Sequence, residues 1–544
     1  MNLSRIKNAL CELSYKKIRY VFIIISGLLT GLTLVVPTIG FIEWITLIPV
    51  ATVILGKASD KTVRLRSLYL DGFVFYYSFY IVCFFWFTYL YPLDFVDGMT
   101  KGAALAVVII AWFGLSLLQA LLSAFCFVFI GIAFRGGICE KVGMLKPLVA
   151  AGVWAVIEWT QTIGWWGVPW GRLPLGQIKY VVGVQNASWF GSYIITFMLV
   201  AVNFLLAYAL LNTEKFKVSV IIAASLLVFQ YGSGALIYFT TDVNDGEKIR
   251  VACVQGNISS SEKWDKSSLS KTLDVYTRYT VSAAEQGAQI VIWPETAFPY
   301  DIGDDSSYGK YFEELSKEQK VYILVGAYVC DENGAPLNSL ICFTPEGERL
   351  DTVYSKRHLV PFGEYVPLRP VIQTLIPPLA ELVLSDEDIV PGEGAQIIEI
   401  GEGIALGGLI CFDSIYEELT LESVRAGAEL ICLSTNDSWF IDSVALDMHN
   451  AQAQLRAIES GRYVARAANT GISTVITPRG EVVDSLGALV DGVIVEDVYA
   501  TDRVTLWSIV GNGFVYLLIV IYLFLLGERI WITINKKYKI NKNT

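Results

Sequence analysis

Three candidate strands in the second half of the chain each lead to a side chain capable of acid–base or nucleophilic chemistry. Residues 290–293 lead to the carboxylate of Glu295, residues 353–355 to the amine of Lys356, and residues 404–410 to the thiol of Cys411. Ligands of α/β proteins bind beyond the carboxyl ends of the strands, so three such groups at strand ends indicate a candidate site. Taken singly, Glu295 and Lys356 are more simply explained as solvated charges, and the inference rests on the three together.

The segment after Cys411 predicts the surroundings of the thiol. Ser414 and Glu417 have the spacing of a capping box, so we expect a helix to begin just beyond Cys411. A thiol between a strand end and a helix N-terminus lies where partial positive charge favours the thiolate, which is the nucleophilic form. The alternative is that Cys411 is a small core residue, as most buried cysteines are.

The composition limits the kinds of site and partner. Of the 544 residues, 54% are hydrophobic and the mean hydropathy is +0.51, whereas soluble chains are about 45–50% apolar. A formal net charge of −11 argues against nucleic acid as a partner. Nine cysteines without C-x-x-C spacing indicate neither a disulfide framework nor a zinc site. Because the chain has only two histidines, we expect acid–base chemistry from Glu, Asp or Lys.

Hydrophobic stretches long enough for a bilayer, at ~20 residues per crossing, predict seven spans before residue 242 and one near the C-terminus. We place them at residues 21–36, 40–56, 69–91, 103–133, 147–164, 181–212, 218–240 and 507–526. Three regions follow: a membrane domain over residues 1–241, a soluble domain over residues 242–503, and a last span with a basic tail over residues 504–544. The first stretch has no obvious cleavage site, so we interpret it as an anchor.

The distribution of basic residues predicts the orientation in the membrane. Lysines and arginines cluster at the N-terminus, in the loops after the second, fourth and sixth spans, and in the C-terminal tail. By the positive-inside rule both termini are cytoplasmic, and residues 242–503 lie on the other side of the membrane. Strand-like and helical runs alternate in residues 242–503, which predicts a layered α/β fold.

Several motifs of this soluble domain resemble a known family. Trp293-Pro294-Glu295, Lys356 and Cys411 are similar to the Glu-Lys-Cys triad of the nitrilase, or carbon-nitrogen hydrolase, superfamily. The runs at residues 358–367 and 435–440, with the flanking spans, narrow the resemblance to its membrane branch, the apolipoprotein N-acyltransferases. The resemblance implies a multi-span α-helical membrane bundle plus an extracytoplasmic α/β nitrilase-like domain, an α-β-β-α sandwich.

The resemblance also implies roles for individual residues. Cys411 is the nucleophile that takes an acyl group as a thioester, and Glu295 is the general base. Lys356 lowers the pKa of the thiol and stabilises the oxyanion, with the backbone N–H of Phe412 as a second donor. Supporting or substrate-binding roles are implied for four further residues: Trp264, Glu364, Asp413 and Trp439. No metal or other cofactor is expected.

Three features near these motifs leave alternatives open. The family pattern has Tyr-Glu after the cysteine, where this chain has Phe412-Asp413, which puts the roles of those two positions in doubt. Glu364 is either part of the site or a charge on an exposed loop. The apolar segment 371–384 is too short to span a bilayer. It is either buried core or a lid that passes acyl chains from the bilayer to Cys411.

The predicted function is transfer of an acyl chain from a membrane phospholipid to the N-terminal amine of diacylglyceryl-cysteine in an apolipoprotein, through a Cys411 thioester. The enzyme is expected to be embedded in the bacterial cytoplasmic membrane. One alternative is a membrane-anchored amidase or nitrilase-type hydrolase that uses the same triad with water as second nucleophile. The other is a non-catalytic transporter or sensor with an outer ligand-binding domain, which intramembrane charges such as Glu43 and Glu158 would support.

Overall fold

The computed structural model describes residues 12–93, 99–263, 266–302, 307–375, 388–401 and 403–543. The chain forms two compact units. The helical unit comprises Met1–Phe85, Ile109–Tyr238 and Val510–Thr544, and the sheet unit comprises Trp86–Val108 and Phe239–Ile509. The sheet unit therefore takes in Trp86–Val108, a stretch that the sequence places in the membrane domain.

Helices make up most of the helical unit. The sheet unit has helices of its own, which cover the outer faces of its sheets. In chain order the α-helices are α1 (Arg19–Val35), α2 (Glu43–Thr46), α3 (Ile48–Lys57), α4 (Leu65–Cys83), α5 (Lys101–Ser123), α6 (Phe125–Phe134), α7 (Gly137–Lys141), α8 (Lys146–Trp159), α9 (Val181–Val184), α10 (Ala187–Phe190), α11 (Tyr193–Leu211), α12 (Phe216–Thr240), α13 (Ser260–Lys263), α14 (Leu269–Glu285), α15 (Ser307–Gln319), α16 (Arg369–Leu375), α17 (Glu417–Arg425), α18 (Val444–Ser460), α19 (Leu506–Val510) and α20 (Gly513–Asn543).

The strands all lie in the sheet unit. In chain order they are β1 (Glu247–Gln255), β2 (Ile290–Ile292), β3 (Phe298–Asp301), β4 (Tyr322–Cys330), β5 (Pro336–Phe343), β6 (Tyr354–Ser355), β7 (Ile397–Ile400), β8 (Ile404–Ile410), β9 (Leu430–Thr435), β10 (Tyr463–Ala468), β11 (Ser473–Ile476), β12 (Val482–Leu486) and β13 (Gly492–Ala500).

Five helical stretches of the described residues are long and apolar enough to cross a membrane. They are Pro37–Lys57, Lys101–Phe134, Tyr193–Leu211, Thr213–Thr240 and Gly513–Asn535. Helix α1 is also apolar, with 17 residues. The spans expected at residues 69–91 and 147–164 correspond to α4 and α8, which do not meet these limits. The chain is therefore a membrane protein with several apolar helices, and eight spans stay a prediction.

The two acids that would support a transport path are bound within the helical unit. Gln177 Nε2 donates to Glu43 Oε2 at 2.6 Å, and the backbone N–H of Leu173 donates to Glu158 Oε1 at 3.1 Å. Both donors lie on the short turn Leu173–Gln177. These carboxylates thus hold a turn of the chain in place, so their presence alone does not indicate transport.

The sheet unit contains two sheets, and the central strands of each sheet run parallel to one another. One has seven strands in the order β13-β1-β2-β4-β5-β6, with β3 paired to β4, and the other has six in the order β12-β11-β10-β9-β8-β7. Strands β1, β2 and β4 are mutually parallel, as are β8, β9 and β10. Strand β2 leads to Glu295 and β8 to Cys411, so both residues follow the carboxyl end of a strand in a parallel centre.

The two sheets pack face to face over a shared apolar core. Ile290 and Leu324 of the first sheet and Leu406 and Leu430 of the second belong to this core. Helices α14 and α15 cover the outer face of the first sheet, and α17 and α18 contact β8 and β10 of the second. This arrangement is an α-β-β-α sandwich, which confirms the predicted fold class.

The helix expected just beyond Cys411 begins later than predicted. Cys411–Ile415 form a 3₁₀ turn, and α17 begins at Glu417 without a side-chain cap. The Ser414 hydroxyl donates to the carbonyl oxygen of Cys411 at 2.8 Å instead. The capping-box prediction was wrong because Ser414 closes the turn at the thiol rather than capping the next helix.

Candidate active site

Glu295 is turned into the protein by the backbone after β2. The adjacent Thr296 has a φ of 46°, in the sparsely populated left-handed region. The neighbouring strand β4 makes room with a glycine, because a Cβ on Gly326 would lie 2.1 Å from the carbonyl oxygen of Pro294. The Glu295 carboxylate is buried, although it belongs to a connection between strands.

Lys356 joins two carboxylates at the end of β6. Its Nζ donates to Glu295 Oε1 at 2.9 Å and to Glu364 at 2.9 Å for Oε2 and 3.0 Å for Oε1. The backbone N–H of Val360 donates to Glu364 Oε2 at 2.8 Å. The lysine side chain is only 2% exposed. The structure therefore brings Glu295, Lys356 and Glu364 together, and Glu364 is not a charge on an exposed loop.

Two asparagines complete the hydrogen bonds of the Glu295 carboxylate. Asn338 Nδ2, from β5, donates to Glu295 Oε1 at 2.8 Å and to Glu364 Oε1 at 3.2 Å. The backbone N–H of Asn436 donates to Glu295 Oε2 at 2.8 Å. Asn436 lies in the motif at residues 435–440, whereas no sequence signal distinguishes Asn338 from any other residue of a strand.

The charges around Lys356 determine one another's protonation. Burial raises the pKa of Glu295, but the Lys356 charge and the hydrogen bonds outweigh it and hold this pKa below its usual value. Burial lowers the pKa of Lys356, but Glu295 and Glu364 outweigh it and hold this pKa well above its usual value. The pKa of Glu364 is raised by burial. Near neutral pH Glu295 is ionised, and an ionised carboxylate can accept a proton.

Cys411 follows β8 in a strained backbone conformation. Its φ of 49° is unusual for a residue with a side chain, and such strain is often found at active sites. Burial raises the pKa of the thiol, Glu295 raises it further, and the opposing effect of Lys356 is smaller. The prediction that the local surroundings favour the thiolate was therefore wrong. Burial and the Glu295 charge instead favour the thiol form of Cys411.

His449 lies against the Cys411 turn in a buried polar network. Its Nε2 is 3.0 Å from Ser414 Oγ and 3.2 Å from the carbonyl oxygen of Cys411. Its Nδ1 is 2.9 Å from Asp437 Oδ1, and Arg466 donates to Asp437 Oδ2 at 2.7 Å. The sequence assigns no role to His449, because α18 reaches the turn only through the tertiary fold.

The same cluster has the spacing of a metal site. Cys411, Asp437 and His449 offer ligand atoms that all lie within 4.8 Å of one another. The Asp437 charge is already paired with Arg466, however, and both nitrogens of His449 face hydrogen-bond partners. We therefore interpret the cluster as a hydrogen-bonded network rather than a metal centre.

Comparison with known proteins decides the family. Residues 250–504 match the carbon-nitrogen hydrolase family, and residues 26–205 match the apolipoprotein N-acyltransferase N-terminal domain. An apolipoprotein N-acyltransferase of Geobacter metallireducens is 30% identical over 473 residues, which cover 85% of this chain and 86% of that protein. The chain belongs to the apolipoprotein N-acyltransferase family.

Two further similarities concern the whole chain and the sheet unit. An apolipoprotein N-acyltransferase of Gloeobacter violaceus is 29% identical over 490 residues, which cover 89% of each chain. The crystal structure of Saccharomyces cerevisiae Nit3, a member of branch 10 of the nitrilase superfamily, is 21% identical and covers 47% of this chain and 92% of that chain, with a TM-score of 0.37.

Asp413 joins the two strand ends that carry Lys356 and Cys411. Its carboxylate accepts four hydrogen bonds, from Tyr354 OH at 2.9 Å, Ile410 N–H at 3.1 Å, Arg357 N–H at 3.2 Å and His358 N–H at 2.8 Å. Burial raises the pKa of Asp413 against these bonds. The shorter acid therefore links the strand ends beside Lys356 and Cys411 through hydrogen bonds.

The other residues to which the resemblance gave supporting roles in this N-acyltransferase family member are Phe412, Trp439 and Trp264. Phe412 packs edge-to-face on Tyr416, with ring centroids 5.4 Å apart. Trp439 lies in the turn Ser438–Phe440 and is partly buried. Trp264 and residues 376–384 of the apolar segment lie outside the described residues. The described start of that segment belongs to α16, where Val371 is 51% exposed and so is not buried core.

A second lysine lies at the site without having been predicted. Lys263 is buried at the end of α13, and its Nζ donates to the backbone carbonyl oxygen of Glu295 at 2.9 Å. Burial lowers its pKa to about 7, although the charge of Glu295 opposes this. Its position directly before Trp264, a residue with an implied supporting role, was the one available signal.

Proposed function

We propose that this protein moves an acyl chain from a membrane phospholipid to the amine of the diacylglyceryl-cysteine of an apolipoprotein, through a thioester on Cys411. The observation that carries the proposal is the buried Glu295–Lys356 pair, whose charges both act on the Cys411 thiol. Membership of the N-acyltransferase family supports the choice of amine and lipid substrates. We assign the catalytic roles to Glu295, Lys356 and Cys411.

In the first step the Glu295 carboxylate takes the proton of the Cys411 thiol, and the sulfur attacks the ester carbonyl carbon of the phospholipid. The carbonyl π bond opens to a tetrahedral oxyanion, which Lys356 Nζ and the backbone N–H of Phe412 stabilise. The oxyanion collapses, the bond to the alkoxide breaks, and Glu295 returns its proton to that oxygen. A thioester and a lysophospholipid result.

In the second step the α-amino group of the acceptor attacks the thioester carbonyl, and Glu295 takes a proton from the attacking nitrogen. Collapse of the new oxyanion breaks the carbon–sulfur bond and forms an amide, and Glu295 returns the proton to the sulfur. The same three residues thus serve both half-reactions. Exclusion of water from the thioester decides whether the outcome is transfer or hydrolysis.

The proposed location is the bacterial cytoplasmic membrane. Basic residues at the N-terminus, in alternate loops and in the C-terminal tail support cytoplasmic termini by the positive-inside rule. On that basis residues 242–503 face the extracytoplasmic side, with the membrane domain over residues 1–241 and the last span and tail over residues 504–544.

Incubation of the purified full-length protein with phospholipid labelled in its acyl chains tests the proposal. We expect a protein-bound label that hydroxylamine removes, and its transfer to a diacylated lipopeptide as an amide. Cys411→Ala should lose the label, whereas Cys330→Ser, which changes an exposed cysteine, should keep it. Release of labelled free fatty acid without amide would instead indicate a hydrolase, and absence of any label would reject the thioester.

A further inference from the structure

The peptide group between Cys411 and Phe412 is held from one side. The carbonyl oxygen of Cys411 accepts the hydrogen bond of Ser414 Oγ at 2.8 Å and lies 3.2 Å from His449 Nε2. Ser414 Oγ and His449 Nε2 are themselves 3.0 Å apart. Because the serine proton is used on the carbonyl, Nε2 is assigned as the donor toward both oxygens. One imidazole therefore fixes the carbonyl and the hydroxyl together.

The direction of this carbonyl determines the direction of the next N–H. A peptide group is planar and trans, so its C=O and N–H bonds point to opposite sides. With the carbonyl of Cys411 directed at His449, the N–H of Phe412 points away from His449. This N–H is the second oxyanion donor of the proposed mechanism. The left-handed φ of 49° at Cys411 costs energy, so this orientation needs a partner that holds it.

The imidazole is held in turn by a buried ion pair. Asp437 Oδ1 lies 2.9 Å from His449 Nδ1 and also accepts from Thr435 Oγ1 at 2.9 Å. Arg466 pairs with Asp437 Oδ2. Burial raises the pKa of Asp437, but Arg466 and His449 together outweigh burial and hold this pKa below its usual value. Gly471 leaves space for this carboxylate, because a Cβ there would lie 2.3 Å from Asp437 Oδ2. The ring has little freedom to turn.

We propose that His449 is a positioning residue of the acyl-transfer reaction, which anchors the Cys411 carbonyl so that the Phe412 N–H faces the developing oxyanion. This inference rests on the proposed function, because it concerns the same nucleophile. It gives the histidine a role that involves no proton transfer with substrate. Glu295 remains the base, and His449 affects only the steps in which an oxyanion forms.

Two reactions of the same thiol separate this role from a structural one. Acylation of Cys411 by a p-nitrophenyl ester forms a tetrahedral oxyanion and releases p-nitrophenolate, whereas alkylation by iodoacetamide is a displacement at carbon that releases iodide and forms no oxyanion. Both are measured on the full-length protein in detergent, with melting temperature as a third readout. The variants are His449→Phe, His449→Gln and Ser414→Ala. Gln454→Met is the matched control on α18, where Gln454 donates to the carbonyl of Gly480 at 2.7 Å.

Loss of one oxyanion donor typically slows a reaction about 10²–10³-fold, and its misplacement less. We therefore expect His449→Phe to lower the maximal acylation rate about 10–100-fold, with KM and the alkylation rate within about threefold of wild type. His449→Gln, which keeps an N–H donor, should recover part of the loss. Ser414→Ala should lower acylation about 3–10-fold, and Gln454→Met should change neither reaction.

An equal fall in acylation and alkylation would overturn the inference, since the thiol itself would then be displaced. Unchanged acylation in both His449 variants would overturn it as well. If His449→Phe does not fold, His449→Gln and Ser414→Ala test the inference instead. In both variants the ratio of the acylation rate to the alkylation rate should fall below that of wild type. A wild-type protein that reacts with the ester but forms no thioester with phospholipid would reject the proposed substrate and leave the test of His449 intact.

Discussion

Replacement of Asp413 by Asn tests whether the short carboxylate positions the site. Asp413 is isosteric with Asn, so the change removes charge and one acceptor oxygen without opening a cavity. In the native protein the carboxylate is the only common partner of four donors on the strand ends that carry Lys356 and Cys411, within the described residues: Tyr354 OH and the backbone N–H groups of Arg357, His358 and Ile410.

The expected loss of stability follows from the donor geometry. An Asn presents one oxygen and one NH₂ group. The less costly orientation directs the NH₂ group at Tyr354, whose hydroxyl can turn to accept, and leaves the N–H of Ile410 without a partner, at about 1–3 kcal/mol. The two remaining hydrogen bonds lose their charge assistance. We therefore expect the free energy of unfolding to fall by about 2–4 kcal/mol, and Tm by roughly 5–15 °C.

The measurement is thermal unfolding of full-length protein in detergent, together with the rate of thioester formation from labelled phospholipid. The matched control is Asp497→Asn, which breaks a surface pair with Lys248 at 2.8 Å, a kind of pair worth about 0–1 kcal/mol. Asp413→Asn should melt lower than this control and form the thioester more slowly. Equal melting and equal thioester formation in the two variants would refute the positioning role.

Three further predictions concern the charges of the site. Glu364→Gln keeps the shape but weakens the hydrogen bond to Lys356, so thioester formation from labelled phospholipid should fall about tenfold, near 1.4 kcal/mol. Because the pKa of Glu295 is held low, the acid limb of acylation should lie below pH ~4.3, the usual value for Glu; a limb above pH 6 would contradict the assignment of the base. Because burial lowers the pKa of Lys263 to about 7, its positive charge is lost as the pH rises through 7, and the resulting step in the acylation profile should disappear in Lys263→Met and persist in Lys266→Met.

The strands and their terminal residues could be predicted because the signal is local. Buried strands appear as short apolar runs, and β8 was predicted at its observed bounds, residues 404–410. The polar group that follows each run then lies at the sheet edge by topology. The proximity of Glu295 and Lys356 itself needed the family resemblance, because a separation of 61 residues carries no information about contact.

The supporting residues could not be predicted because their roles depend on tertiary contacts. Asn338 occupies a strand position like any other, and His449 lies on a helix 38 residues beyond the carbonyl that it faces. The capping box at Ser414 shows the opposite case. Its spacing is a correct helix signal in isolation. In the structure the Ser414 hydroxyl instead donates to the carbonyl oxygen of Cys411 at the strained turn, so the local rule fails at the site.

The charges of the site also explain why the pKa of the Cys411 thiol lies above its usual value. Lys356 is paired with two carboxylates, so little positive charge is left to stabilise a neighbouring thiolate, and burial removes the help of water. An ionised cysteine would add a third negative charge to the same pocket. The proton should therefore move to Glu295 only as the sulfur attacks, when charge passes to the oxyanion beside Lys356 and the Phe412 N–H.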